Sequence, residues 1–153
     1  MKTAVLIITR VASALIISLI MVSVLAIGPV LAQPKIEKSK FAALVTDTQG
    51  VETELKHVIF YWEEKVSETS FVPHEVLHVP AKKGNAVYNV KFEKIKQIDV
   101  KPGADKAPPA VTITLAGGKS EEFTMAVNGT FKGETDFGEV ELPAHGLKKV
   151  VFK

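Results

Sequence analysis

From Phe41 to the C-terminus the chain is cut into short runs of Val, Ile, Phe and Thr by Gly, Asn, Asp or Pro every 6–12 residues. That punctuation leaves no room for an ordinary helix and prescribes strands joined by turns. No apolar repeat at helical spacing occurs after residue 32. The reading is all-β. Strands are expected at Phe41–Thr46, Val51–Trp62, Glu75–Val79, Ala86–Phe92 and Ile95–Val100, then at Val111–Leu115, Glu122–Val127, Thr130–Glu134, Glu139–Leu142 and Leu147–Phe152. Residues 63–73 read as a polar loop. Asn128-Gly129 is the strongest hairpin signal, because both residue types tolerate the positive φ of a type I′ turn.

The N-terminus follows a different grammar. Residues 11–27 are uncharged and apolar, Lys2 and Arg10 precede them, and Gly28-Pro29 ends the run. Val30-Leu31-Ala32 then supplies small residues at the positions a signal peptidase reads. Residues 1–32 are therefore expected to form a signal peptide with a helical apolar segment, cut between Ala32 and Gln33. Residues 33–40 would be a polar, flexible N-terminal segment. The rival is an uncleaved anchor, since an apolar run of ~17 residues is near the lower limit for a membrane span. The expected location is exported, periplasmic or extracellular.

Removing that segment changes the charge argument. It takes Lys2 and Arg10 and no acid from 19 basic and 17 acidic residues, leaving 17 of each. Arg10 is the only arginine, so no bidentate guanidinium fork remains for phosphate. Nucleic acid is not an expected partner. A membrane is expected only through an uncleaved signal.

Two segments repeat at a spacing of 52. Tyr88-x-Val90 lies over Val140-x-Leu142, and Ile95, Ile98 and Val100 lie over Leu147, Val150 and Phe152. Upstream, the Leu44–Leu55 stretch resembles Ile113–Phe123 at another offset. Repeats of this kind redefine a fold. The expected organisation is a β repeat over 41–100, a linker over 101–110 and a second β repeat over 111–153. Each unit reads as five strands with a short irregular break before the last. That pattern resembles an SH3-like small barrel, an architecture that carries no activity with it. Units this small bury too little surface to stand alone, so the two are expected to pack as one body. The alternative architecture is a single β-sandwich.

The most specific chemical motif is His74-Glu75-Val76-Leu77-His78, which matches H-E-x-x-H. In zinc hydrolases the two histidines bind the metal from one helix face and the glutamate acts as base. Here Pro73 and Pro80 bracket the motif, and β-branched Val72, Val76 and Val79 lie inside or beside it. In a strand the two imidazoles would lie ~13 Å apart, too far to share an ion. No metal site and no cofactor is expected. A small zinc-dependent hydrolase using 74–78 is kept as the alternative.

Other residues point to less. His57 and His145 are isolated, no serine sits in a G-x-S-x-G elbow, and Gly117-Gly118-Lys119-Ser120 is too short to cradle a phosphate. Glu134, Asp136, Glu139 and Glu141 read as a solvated face and lack calcium-loop spacing. With no cysteine, thiol nucleophiles and disulfides are excluded. Phe60-Tyr61-Trp62 is the best binding candidate, with Tyr61 and Trp62 as the ligand-contacting residues beside the longest loop. The expected function is a non-catalytic binding or structural module, with a protein or an envelope polymer as partner.

Overall fold

The computed structural model describes residues 37–101, 103–104 and 107–153. The expected signal segment, and the cleavage site at Ala32 and Gln33, lie outside the described residues. Among those described, the chain is all-β. It forms one open antiparallel sheet of 11 strands and no α-helix. The strands are β1 (Ala43–Asp47), β2 (Glu52–Lys65), β3 (Phe71–Val76), β4 (His78–Lys83), β5 (Ala86–Lys91), β6 (Ile95–Val100), β7 (Ala110–Leu115), β8 (Ser120–Met125), β9 (Thr130–Thr135), β10 (Gly138–Pro143) and β11 (Leu147–Phe152). The hydrogen-bonded order is β10-β9-β2-β1-β11-β6-β7-β8-β4-β5, with β3 added to β2.

Local chemistry explains the elements. In β1, Ala43 and Val45 alternate inward. The chain then reverses because Asp47 Oδ1 accepts the Gln49 and Val51 amides at 2.8 and 2.9 Å, while Gly50 takes φ +84°. Short 3-10 turns at Phe92–Lys94 and Ala144–Gly146 fill the expected irregular breaks before β6 and β11. Phe60, Phe92 and Phe131 are fully buried and dominate the core. Each contributes ~1.5–3 kcal/mol by leaving water.

The spacing of 52 runs through the elements as well as the residues. The bounds of β4, β5, the first 3-10 turn and β6 all recur 52 residues later as β9, β10, the second 3-10 turn and β11. Bonds outside the ladders follow the same rule. Phe92 N–H donates to the Leu77 carbonyl, and Ala144 N–H donates to that of Gly129. Upstream the constant is 68: Val45 lies against Val150 as Ile113 lies against Ile98. The Lys153–Glu54 and Lys101–Glu122 ion pairs obey both constants. β6 and β11 meet in the register Gln97↔Val151, Ile98↔Val150 and Asp99↔Lys149, which is symmetric about Ile98 and Val150. A local two-fold relation passes through that pair.

Pairing departs from expectation in one respect. Strands of 41–100 do not close among themselves: β1 pairs with β11, β2 with β9, β4 with β8 and β6 with β7. The two segments alternate along one sheet, neither two self-contained barrels nor the two sheets of a sandwich. The hydrophobic pattern sets which face of a strand is buried and is silent on which strand lies beside it.

Two local readings are also corrected. Residues 63–73 are mostly strand: β2 runs on to Lys65 and β3 returns from Phe71. This ribbon is exposed on both sides near its tip, so no alternation marked it. Asn128-Gly129 is not a hairpin, because β8 and β9 do not pair with each other. The glycine serves packing instead. A Cβ on Gly129 would lie 2.1 Å from Phe60 Cζ.

Candidate functional site

β2 is the longest strand, at 14 residues, and bends within its length. His57 takes φ +56° at the irregularity between Lys56 and Ile59. Before the bend β2 pairs with β1. After it the strand turns to β3, keeping β9 on its other side. The bend is tied down by His57 Nδ1, which donates to the Ser39 carbonyl at 2.6 Å. Lys38 pairs with Glu134 at 3.1 Å beside it. β8, the counterpart of early β2, ends at Met125 and has nothing matching the later half of β2 or β3. The β2–β3 ribbon is an addition peculiar to the first segment.

Its two faces differ. Cross-strand partners share a face, so Phe60 and Val76, Trp62 and His74, and Glu64 and Val72 line one side. Phe60 packs edge-on to Phe131 at 5.2 Å, and Trp62 leans on Phe60 at 6.0 Å. The His74 ring stacks on Trp62 at 4.7 Å and 11°, with Nε2 held 3.0 Å from Glu64 Oε2. Trp62 is thus built into the arm and the core margin. The other face carries Tyr61, Glu63, Pro73 and Glu75. Tyr61 Oη donates to Glu63 at 2.6 Å, and Lys132 Nζ sits 3.6 Å from the ring centroid while pairing with Glu141 at 2.6 Å. The Tyr61 phenol is pushed up to about 12, first by the bond to Glu63, then by desolvation and by the charges of Glu63, Glu141 and Glu75. The outward binding candidate is therefore Tyr61, an aromatic face with a cation over it and carboxylates around it. Sequence reasoning missed Lys132, which comes from a strand paired across the two segments.

The H-E-x-x-H segment is extended. His74 and Glu75 lie in β3, the chain bends at Leu77, and His78 opens β4 opposite Lys91. No helix turn brings the two imidazoles onto one face. Partial burial pulls His78 below the usual imidazole value. Among the described residues no group of three or more His, Asp or Glu is placed to hold a metal. The acidic residues near β10 are matched by lysines: Glu134 with Lys38, Asp136 with Lys56 at 2.9 Å, and Glu141 with Lys132.

Among the described residues, large apolar side chains are exposed in four places, the first being Val51 just before β2. Val66 and Phe71 sit at the arm tip, 56% and 55% exposed. Phe137 stands free on the β9–β10 turn beside a cleft of about 550 Å³ lined in part by Glu52, Glu54, Asp136 and Val140. Val87 and Tyr88 are exposed on β5, where Tyr88 meets Phe123 edge-on at 5.6 Å.

Residues 37–153 match a protein-family model described as "Uncharacterised protein", and the chain belongs to that family. No curated protein and no solved structure matches it.

Proposed function

We propose that this chain is an exported, non-catalytic binding module whose β2–β3 arm docks onto a protein or polymer of the cell envelope. The observation that carries this is the arm itself. It is the part of the sheet without a counterpart in the second segment, it reaches the core only at its base through Phe60, Trp62 and Val76, and it ends in exposed Val66 and Phe71. A pair of exposed apolar side chains at the tip of a projecting ribbon suits a docking element. The strand order also supports a finer architectural reading. β10-β9-β2-β1-β11 and β5-β4-β8-β7-β6 have the same layout, each with a 3-10 turn leading into the strand at the centre of the sheet, β11 in one and β6 in the other. We read them as two SH3-like barrels that have exchanged strands between the segments.

The test places a photo-crosslinking residue at Phe71 or Val66, and as control at Glu93, in the native host. Adducts of one size from positions 71 and 66 and none from 93 are expected. No adduct at either tip position, or the same adduct at all three, refutes the docking role. N-terminal sequencing of the same material reads whether Gln33 is the first residue. Retention of Lys2 would favour the membrane-tethered alternative. Zinc bound stoichiometrically and lost in His78→Ala would favour the hydrolase.

A further inference from the structure

The sheet leaves three strand edges without a partner among the described residues: those of β3, β10 and β5. An open edge invites other strands, and proteins blunt such edges with proline and charge. Hydrogen-bond parity shows which residues face outward. Val66 N–H donates to the Ser70 carbonyl, so the Glu63↔Pro73 pair is a non-bonded one and Pro73 sits where β3 would otherwise present an N–H. On β4, the Pro80 carbonyl accepts from Ala126 on the β8 side, so Pro80↔Asn89 is also a non-bonded pair. The amides and carbonyls of Val87, Asn89 and Lys91 therefore point out of the sheet at the free edge. At the spacing of 52, the matching positions on β10 are Glu139, Glu141 and Pro143. β3 is blunted by proline, and β10 by proline and two carboxylates. β5 has neither.

The surroundings of β5 favour one kind of strand. On one face Tyr88 and Val90 join Ile113, Leu115 and Phe123 around a mainly apolar cup of about 180 Å³, whose lining also includes Lys119 and Glu121. On the opposite face stand Lys91 and, across from Val87, Lys82. Neither lysine has an ion-pair partner among the described residues, and β5 contains no acid. We propose that β5 is a receiving edge, to which an extended segment of a partner polypeptide adds as a further strand. That segment carries apolar side chains toward the cup and carboxylates toward Lys82 and Lys91. Main-chain bonds to Val87, Asn89 and Lys91 hold it, and the two faces select it. This rests on the reading of the chain as a binding module but uses a different edge from the arm.

The probe is a fluorescein-labelled eight-residue peptide alternating aspartate with valine or phenylalanine, titrated into the purified full chain in detergent and followed by anisotropy. A peptide with lysine in place of aspartate is the control. The aspartate peptide is expected to bind at least about tenfold tighter than the lysine peptide. Asn89→Pro, which removes an outward donor and no bond to β4, is expected to weaken it about tenfold at unchanged Tm. The Lys82→Glu/Lys91→Glu double variant, confined to exposed side chains, should invert the preference even if Asn89→Pro folds poorly. Amide exchange should slow at Val87, Asn89 and Lys91 on binding, and not at Tyr88 or Val90. Deleting the arm tip should leave the affinity unchanged, so loss of arm docking and loss of this site are told apart. Equal binding of both peptides, wild-type affinity in a folded Asn89→Pro chain, or protection of the wrong amides overturns the proposal. So does a peptide-free dimer with the same three amides protected, which would assign the edge to a second copy.

Discussion

Replacing Gly129 by alanine isolates the close approach that sets the base of the arm. The new Cβ would fall 2.1, 2.5 and 2.9 Å from Phe60 Cζ, Cε1 and Cε2. All three are well inside van der Waals contact. The ring cannot simply swing away, because Phe60 is fully buried between Phe131 and Trp62. Overpacking of this kind costs ~1–3 kcal/mol, and outright expulsion of a phenylalanine costs ~3–5 kcal/mol. Alanine recovers ~0.4–1 kcal/mol by restricting the unfolded chain, since φ here is not in the left-handed region. The net loss should be about 2–3 kcal/mol, read from urea unfolding of the 33–153 chain. The decisive measurement is the double-mutant cycle with Phe60→Leu. If the ring is what the methyl strikes, shortening it relieves the clash, and the double variant should be more stable than the sum of the single losses by about 1 kcal/mol or more. If the glycine instead served a type I′ turn, its loss would persist whatever occupies position 60. A Gly129→Ala chain within ~0.5 kcal/mol of wild type, or strict additivity with Phe60→Leu, refutes the packing argument.

Three further outcomes follow from the geometry. In a Tyr88→Phe chain, where Tyr61 is the only remaining tyrosine, phenolate absorbance should appear near pH 12, and Glu63→Gln should move it to lower pH. The folded phenol is raised above its unfolded value, so its contribution to stability is complete below about pH 10 and is lost as pH climbs toward 12. His78 is shifted the other way. Its neutral form supports the fold above about pH 6.5, and that support fades as pH falls through its depressed folded value. Histidine proton shifts should show one ring titrating below the ordinary range, and an ordinary midpoint at position 78 would contradict the burial argument. At the β2 bend, His57→Val should cost about 1–2 kcal/mol because a β-branched residue resists positive φ, whereas His57→Gly should lose less. Equal losses in denaturant melts would mean that the bond to Ser39 matters and the backbone does not.

How far the sequence alone carries is clearest at particular residues. Val and Phe alternation located most strands, and the spacing of 52 visible in Ile95, Ile98 and Val100 held for β4, β5 and β6 against β9, β10 and β11. The turn at Asp47–Gly50 was legible because its side-chain and glycine chemistry is local. Pairing was not. Whether β2 lies beside β4 or β9 leaves no trace in the alternation of either strand, and the same blindness turned Asn128-Gly129 into a hairpin. At the candidate site, Tyr61 and Trp62 were found from their type and place in the chain. Their environments were hidden, because His74, Lys132 and Glu141 reach them from positions 12 to 80 residues away. The arm escaped notice since Glu63, Glu64 and Lys65 are all exposed, so the end of β2 carries no alternation, and β3 alternates only between exposed and half-buried residues.

The interleaved strand order has a consequence for how the molecule is made. β1 is flanked by β2 and β11, and β6 by β11 and β7, so neither can complete its ladder before the C-terminal strand emerges. A nascent chain halted after Val100 would lack the partners of five strand edges, two of them on β6, and folding should be slow for so small a protein. The same knitting makes the finished article hard to take apart: a peptide-bond break between Gly103 and Ala104 would cut the covalent thread yet release no fragment, because each piece grips the other through four separate ladders besides the one joining β6 to β11.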